Sequence, residues 1–236
     1  MKKLVLVHGG WSGSWVWDRL RPHLDERGLD HVAVDLPGND LGGSSGWRTS
    51  LAERAAAINE AAGGPAILLG HSAGGIAVSH AAAAARTPHT AVIYLAAYLP
   101  KDRERLMKLG RSDTDSKLGD TIKPNMLKGV IPTSSERAQF VYSDYDGDDL
   151  DELLRRHEPE PLRPGMARFK LTQVFDSTPK YYIRCANDRA ISPAFQDWMC
   201  SRYDLTPVAS LESGHMPMLT MPETLAITLE KIISAA

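Results

Sequence analysis

Ala66-Ile67-Leu68-Leu69-Gly70-His71-Ser72-Ala73-Gly74-Gly75-Ile76-Ala77-Val78 decides how the chain is read. An apolar run meets the pattern G-x-S-x-G, and small and apolar residues continue from there to position 85: strand, sharp turn, helix. In such an elbow the serine sits at the tip of a strained turn, and only glycine fits two residues to either side, here Gly70 and Gly74. The turn lifts the Ser72 hydroxyl clear of the sheet at a helix N-terminus, where an adjacent amide can bind a developing oxyanion. Ser72 is therefore the expected nucleophile. The pattern alone is common, so its surroundings decide.

Continuous apolar runs at 4–7, 31–34, 66–69 and 91–95 have the character of parallel strands covered on both faces. Helical stretches at 15–27, 50–62 and 73–86 separate them, and the alternation gives a parallel sheet. Two further strands, 180–185 and 207–211, resume the pattern, with a helix over 193–202 between them and another over 222–233. The expected fold class is α/β: a mostly parallel six-stranded sheet flanked by helices, built from residues 1–99 and 178–236. The segment between, 100–177, is too long for a plain loop and is richer in charge, glycine and proline. Amphipathic patches at 103–109, 136–142 and 149–156 make it a helical cap inserted over the elbow.

A serine hydroxyl is a poor nucleophile near neutrality, so it needs a base within hydrogen-bond reach and a carboxylate to orient that base. His215, in Gly214-His215-Met216, falls between the last strand and the last helix, on the same sheet edge as the elbow. His8 and His71 belong to the glycine-rich loops and suit a supporting role; the other five of the eight histidines fall on helices, a strand edge or the surface. Asp188 follows the strand 180–185 and projects from its C-terminal end, where ligands bind in open α/β sheets. Asp102, just after the fourth strand, is the rival acid and ranks behind it. The chain order Ser72, Asp188, His215 is the one this elbow requires. The loop Val7-His8-Gly9-Gly10-Trp11 supplies a second amide, so the backbone N–H groups of Gly10 and Ala73 are the expected oxyanion donors. Trp11 and Met216 flank the site and are expected to wall its substrate pocket.

Composition narrows the partners. The 236 residues carry 27 basic and 29 acidic side chains, a formal net charge of −2, which offers no polyanion-binding surface; nucleic acid is not an expected partner. The apolar run after Lys2 and Lys3 ends at His8, too short for a secretory-signal core, and no later run approaches a membrane span. A cytoplasmic protein without membrane contact is expected. Cys185 and Cys200 lack metal-ligand spacing and read as free thiols. The run Asp144-Tyr145-Asp146-Gly147-Asp148-Asp149 alternates carboxylates, but Asp149 and Arg155 stand where a calcium loop of the EF-hand type needs glycine and glutamate. It reads as a solvated helix start. No metal and no cofactor are expected; the expected partner is a small molecule, and monomer and homodimer both stay open.

Taken together, Leu6-Val7-His8-Gly9-Gly10-Trp11, Trp15-Val16-Trp17, Asp35-Leu36-Pro37-Gly38, Gly70-His71-Ser72-Ala73-Gly74-Gly75 and Gly214-His215-Met216-Pro217-Met218-Leu219 resemble the α/β-hydrolase superfamily. The resemblance is to the branch that holds plant methylesterases, hydroxynitrile lyases and small bacterial esterases; it spans the core and is weak through the cap. It implies a Ser-His-Asp triad without a cofactor. In the lyases of this branch a threonine follows the first-strand histidine and a lysine follows the catalytic one; here those positions are Gly9 and Met216, which favours ester hydrolysis. The expected activity is that of a carboxylesterase cleaving small aryl or alkyl esters through an acyl-enzyme. A hydrolase of natural-product lactones, thioesters or polyketides, a hydroxynitrile lyase, and a slow-turnover ligand receptor on the same fold are the alternatives.

Overall fold

Leu4–Val7 forms β1 with every side chain buried, as a strand covered by helices on both faces must be. The computed structural model, which describes residues 2–39 and 46–236, continues with β2 (His31–Val34), β3 (Ile67–His71) and β4 (Ala91–Leu95). A short antiparallel pair follows, β5 (Val130–Ile131) with β6 (Glu160–Pro161), and then β7 (Lys180–Cys185) and β8 (Ala209–Leu211). Six of these strands make one parallel sheet in the order β2-β1-β3-β4-β7-β8.

That order reverses at β1. The chain steps one way to β2, then crosses back to place β3 on the other side. Loops leaving the C-terminal ends of the two strands at such a switch point diverge and leave a crevice. Here β1 and β3 lie in register with Val7 beside Gly70, so the loops that begin at His8 and Ser72 open onto the same crevice.

The helices are α1 (Arg21–Glu26), α2 (Leu51–Ala62) and α3 (Gly74–Ala84), and then, between β4 and β7, α4 (Leu106–Gly110), α5 (Ser135–Val141), α6 (Leu150–Arg155), α7 (Leu162–Met166) and α8 (Gln173–Ser177). The chain ends with α9 (Pro193–Ser201), α10 (Pro217–Thr220) and α11 (Pro222–Ala235). Ser50 opens α2 with a capping box: its hydroxyl accepts the Glu53 N–H at 3.2 Å while the Glu53 carboxylate accepts the Ser50 N–H at 2.6 Å. Alternate residues of the strands enter two apolar layers. Val5, Val7, Leu68 and Val92 pack with α2 and α3, whose buried alanines permit close approach; Leu4, Leu6, Ile67 and Ile93 pack with α11 on the other face.

Three boundaries differ from expectation. The helix expected over 15–27 is a 3-10 turn at Ser14–Trp17 followed by α1. Pro22 has no N–H to give to a preceding turn, so it is accommodated where a helix begins and not where one continues. The third strand runs past Leu69 to His71, and the last begins only at Ala209. Helices α4, α5 and α6 fall on the three amphipathic patches of the inserted segment, whereas the β5–β6 pair has two residues per strand and too little length for a periodic signal. Among the described residues no helix is long and apolar enough to cross a membrane. Both cysteines are buried and unbridged.

Candidate active site

Ser72 follows β3 with φ = +53°, in the left-handed region that costs a non-glycine residue about 1–2 kcal/mol. The surroundings hold it there. Its N–H donates to Leu95 C=O at 3.3 Å, and its own C=O accepts from the N–H groups of Gly75 and Tyr98, each at 3.1 Å. A Cβ on Gly74 would lie 2.5 Å from the His8 carbonyl oxygen, so only glycine lets the start of α3 seat against the loop after β1. The loops carrying Ser72 and Gly10 are thereby locked side by side.

His215 and Asp188 come from the turns after β8 and β7. Nδ1 of His215 lies 2.8 Å from Asp188 Oδ2, and the residues are 2% and 4% exposed. The carboxylate is fixed from its other side: Oδ1 accepts from the N–H groups of Ala190 (2.7 Å) and Ile191 (3.0 Å), and Oδ2 also accepts from Gln196 Nε2 (3.2 Å). Asp102 is exposed and accepts the Leu171 N–H at 2.9 Å, so it is not the imidazole's partner. Among the described residues no hydrogen bond joins Ser72 Oγ to His215; contacts of this kind tighten when substrate arrives.

His71 links the two. Its Nε2–H donates to the His215 carbonyl at 2.8 Å, and the two rings lie 4.6 Å apart. Burial, and then the nearness of His215, holds His71 well below the usual imidazole range, so it stays neutral. The residue before Ser72 thus ties the His215 loop to the elbow. His8 does similar service for the loop after β1. Its Nε2 accepts the Leu36 N–H at 3.1 Å, which leaves the proton on Nδ1, donated to Gly9 C=O at 2.7 Å. Burial lowers the His8 pKa as well. Both glycine-loop histidines are supports, as expected.

Ser72, Gly10, Ala73 and Trp11 line one cavity of about 180 Å³. The amide N–H groups of Gly10 and Ala73 have no hydrogen-bond partner among the described residues, so two open donors stand beside Ser72. Met216 does not line the cavity. It is 1% exposed, packed in the apolar layer with Leu95 and Tyr142, because the backbone turns at Met216 to start α10 and buries the side chain. The walls come instead from Tyr98 and from the inserted segment, chiefly Leu106, Met107, Leu118 and Ile131. Leu106 and Met107 fall in the amphipathic patch expected over 103–109, whereas nothing in the sequence singled out Tyr98, Leu118 or Ile131.

The acidic run is not simply solvated. Asp144 accepts hydrogen bonds from the Gly214 N–H and, at 3.4 Å, the Ser213 hydroxyl, bracing the loop that carries His215. Asp149 accepts from Arg19 at 2.9 Å and from the Tyr145 hydroxyl. Among the described residues no group of three or more His, Cys, Asp or Glu is arranged to hold a metal ion.

Residues 4–228 match the model of the alpha/beta hydrolase family. The chain belongs to that family. Methylesterase 9 of Arabidopsis thaliana is 26% identical over 260 residues, covering 98% of each chain. Salicylic acid-binding protein 2 of Nicotiana tabacum is 27% identical over 98% of this chain and 96% of its own. Among solved structures, a pyrethroid hydrolase from Sphingobium faniae superposes with a TM-score of 0.85 at 25% identity, covering 99% of this chain and 98% of that one. Within the alpha/beta hydrolase family the chain sits in the methylesterase-like branch, among carboxylic ester hydrolases.

Proposed function

We propose that this chain is a serine carboxylesterase that cleaves small aryl or alkyl carboxylic esters, with Ser72, His215 and Asp188 as its triad. The observation that carries the proposal is the buried Asp188–His215 pair, tied through His71 to the strained Ser72 elbow at an apolar cavity. His215 takes the Ser72 proton as Oγ attacks the ester carbonyl, and the amides of Gly10 and Ala73 hold the oxyanion. As the tetrahedral intermediate collapses, His215 returns the proton to the leaving alcohol. Water, deprotonated by the same imidazole, then releases the acid and restores Ser72. Asp188 holds the imidazole in the tautomer that leaves Nε2 as the base. The sequence needs no metal or cofactor for any of these steps.

The names of the relatives, methylesterases and a pyrethroid hydrolase, support a carboxylic ester as substrate. The cavity's mostly apolar wall supports an aryl or alkyl acyl group over a charged one. Lyase chemistry is disfavoured at Gly9, where a Cβ would fall 2.9 Å from Ser72 Cβ and leave no place for threonine.

The test is hydrolysis of p-nitrophenyl esters from acetate to octanoate, with aryl methyl esters alongside, by wild type and Ser72→Ala. Turnover by wild type that falls off at long acyl chains, and none by the variant, is the expected result. Equal rates for the two proteins would remove Ser72 from the mechanism.

A further inference from the structure

Trp11 follows the proposed oxyanion donor Gly10 and has φ = +61°, a left-handed conformation that a side chain as large as indole rarely adopts. Something must hold it, and what does so comes from the inserted segment. The Trp11 N–H donates to Glu160 Oε2 at 3.2 Å, and its C=O accepts the Glu158 N–H at 2.9 Å. The indole N–H donates to Ile131 C=O at 3.1 Å, and the Arg137 guanidinium lies 3.8 Å from the ring centre. Strand β5 and the chain at the start of β6 therefore hold Trp11 by its N–H, its C=O and its indole.

Glu160 is the part of this grip that needs explaining. It is 5% exposed, lines the same cavity as Ser72, and its Oε2 would be 4.0 Å from a Cβ on Gly10. Its other oxygen pairs with Arg54 Nη1 at 2.7 Å, with both side chains buried. Arg54 in turn donates to Asn39 Oδ1 at 2.7 Å and to Pro37 C=O at 3.1 Å, and Asn39 Nδ2 donates to Ser12 C=O at 2.5 Å. The network runs from the Trp11 amide through Glu160, Arg54 and Asn39 and returns to the same loop one residue later. A buried ion pair is a weak source of stability, since desolvation offsets most of the attraction. Its geometric effect here is to close a ring around residues 10–12.

We infer that Glu160 is a positioning residue: paired with Arg54, it holds the Trp11 peptide in its strained conformation and so aims the Gly10 N–H at the oxyanion. The inserted segment thereby completes the site as well as covering it. This inference rests on the esterase reading above, because it assigns Glu160 an effect on the transition state. An oxyanion donor displaced from its place costs catalysis and not substrate binding. A Glu160 that merely touched substrate would act on KM, and differently for each acyl group.

The experiment compares wild type, Glu160→Gln, Glu160→Ala and Ser72→Ala in two measurements: kcat and KM for p-nitrophenyl acetate, butyrate and benzoate, and inhibition or thermal stabilisation by an aryl trifluoromethyl ketone. With that probe Ser72 Oγ adds to the ketone carbon, His215 takes the proton, and the ketone oxygen becomes an oxyanion in the hole. The expected result is a kcat lowered about tenfold in Glu160→Gln and about a hundredfold in Glu160→Ala, by the same factor for all three esters, with KM little changed. Affinity for the ketone should fall in step with kcat. If the alanine variant does not fold, the near-isosteric glutamine variant carries the test, with its melting temperature confirming the fold. A folded Glu160→Gln with wild-type kcat and ketone affinity, or one changed only in KM, overturns the inference while the esterase reading stands. A wild type that neither hydrolyses esters nor binds the ketone overturns both. If wild type binds the ketone without hydrolysing the esters, the ketone affinities decide the role of Glu160.

Discussion

At the scale of single residues, the site depends on a serine kept in a conformation it would not choose and on an imidazole whose orientation is fixed from both ends. Asp188 binds Nδ1 of His215, and the His215 carbonyl is held by His71. Asp188→Asn should therefore lower kcat by about 10⁴, because an amide at that place favours the wrong imidazole tautomer. Asp102→Asn, altering an exposed carboxylate whose hydrogen bond among the described residues is to the Leu171 amide, should stay within about twofold of wild type. Steady-state kinetics of the two variants side by side decide between the acids. Gly9→Thr should cost most or all activity without creating cyanohydrin cleavage, since the new Cβ would press on Ser72 Cβ; cyanide release from mandelonitrile checks this. The positions of Ser72, Asp188 and His215 were legible because each stands within a few residues of the end of an apolar run, and a parallel sheet brings all such positions to one edge. Met216 misled because the direction of a side chain after a turn is set by the turn, and sequence spacing carries no record of it. Glu160 and Asp144 were illegible for another reason: their partners lie 149 and 70 residues away.

At the scale of elements, the inserted segment braces the sheet's loops at separate points. Asp113, 6% exposed, accepts both the backbone N–H and the hydroxyl of Ser192 at 2.7 Å. Ser192 caps α9 by accepting the Phe195 N–H at 3.2 Å, and it directly follows the turn whose amides bind Asp188. Asp113→Ala leaves two buried donors without an acceptor, so it should destabilise the fold by about 1–3 kcal/mol. It should also lower kcat by loosening the Asp188 turn. Urea unfolding with kinetics on the same preparation tests both halves, and Ser50→Ala supplies the contrast. Loss of the α2 cap should cost about 1 kcal/mol and leave the rate unchanged. The long elements of the sheet and its helices could be read from period and spacing alone. The helix expected over 15–27 broke at a proline already visible in the sequence, whereas β5 and β6 exist only because tertiary contacts pair two residues with two others.

For the whole molecule, the histidines set the response to acid. His8, His71, His80 and His157 are all held neutral chiefly by burial, His80 and His157 down to about 4 from an ordinary value of 6.5. Above pH 6.5 neither folded nor unfolded chain protonates them, and their contribution to stability is complete. As pH falls from 6.5 towards 4 the unfolded chain takes up protons that the folded one refuses, so stability drops, by up to about 1.4 kcal/mol per pH unit for each group. Denaturation midpoints should fall between pH 7 and pH 5. His80→Leu should flatten the slope, because Nε2 of His80 is buried without a hydrogen-bond partner and its loss strands no other group. A slope unchanged in that variant would show that His80 titrates alike in both states.

Whether Ser72 forms the covalent intermediate is read by peptide mapping with mass spectrometry after treatment with an aryl or alkyl fluorophosphonate. The expected result is a single phosphonyl group on the peptide carrying Ser72, with ester hydrolysis lost in proportion, and no such adduct in Ser72→Ala. A stoichiometric adduct on any other residue, or hydrolysis that persists once Ser72 is fully modified, would contradict it.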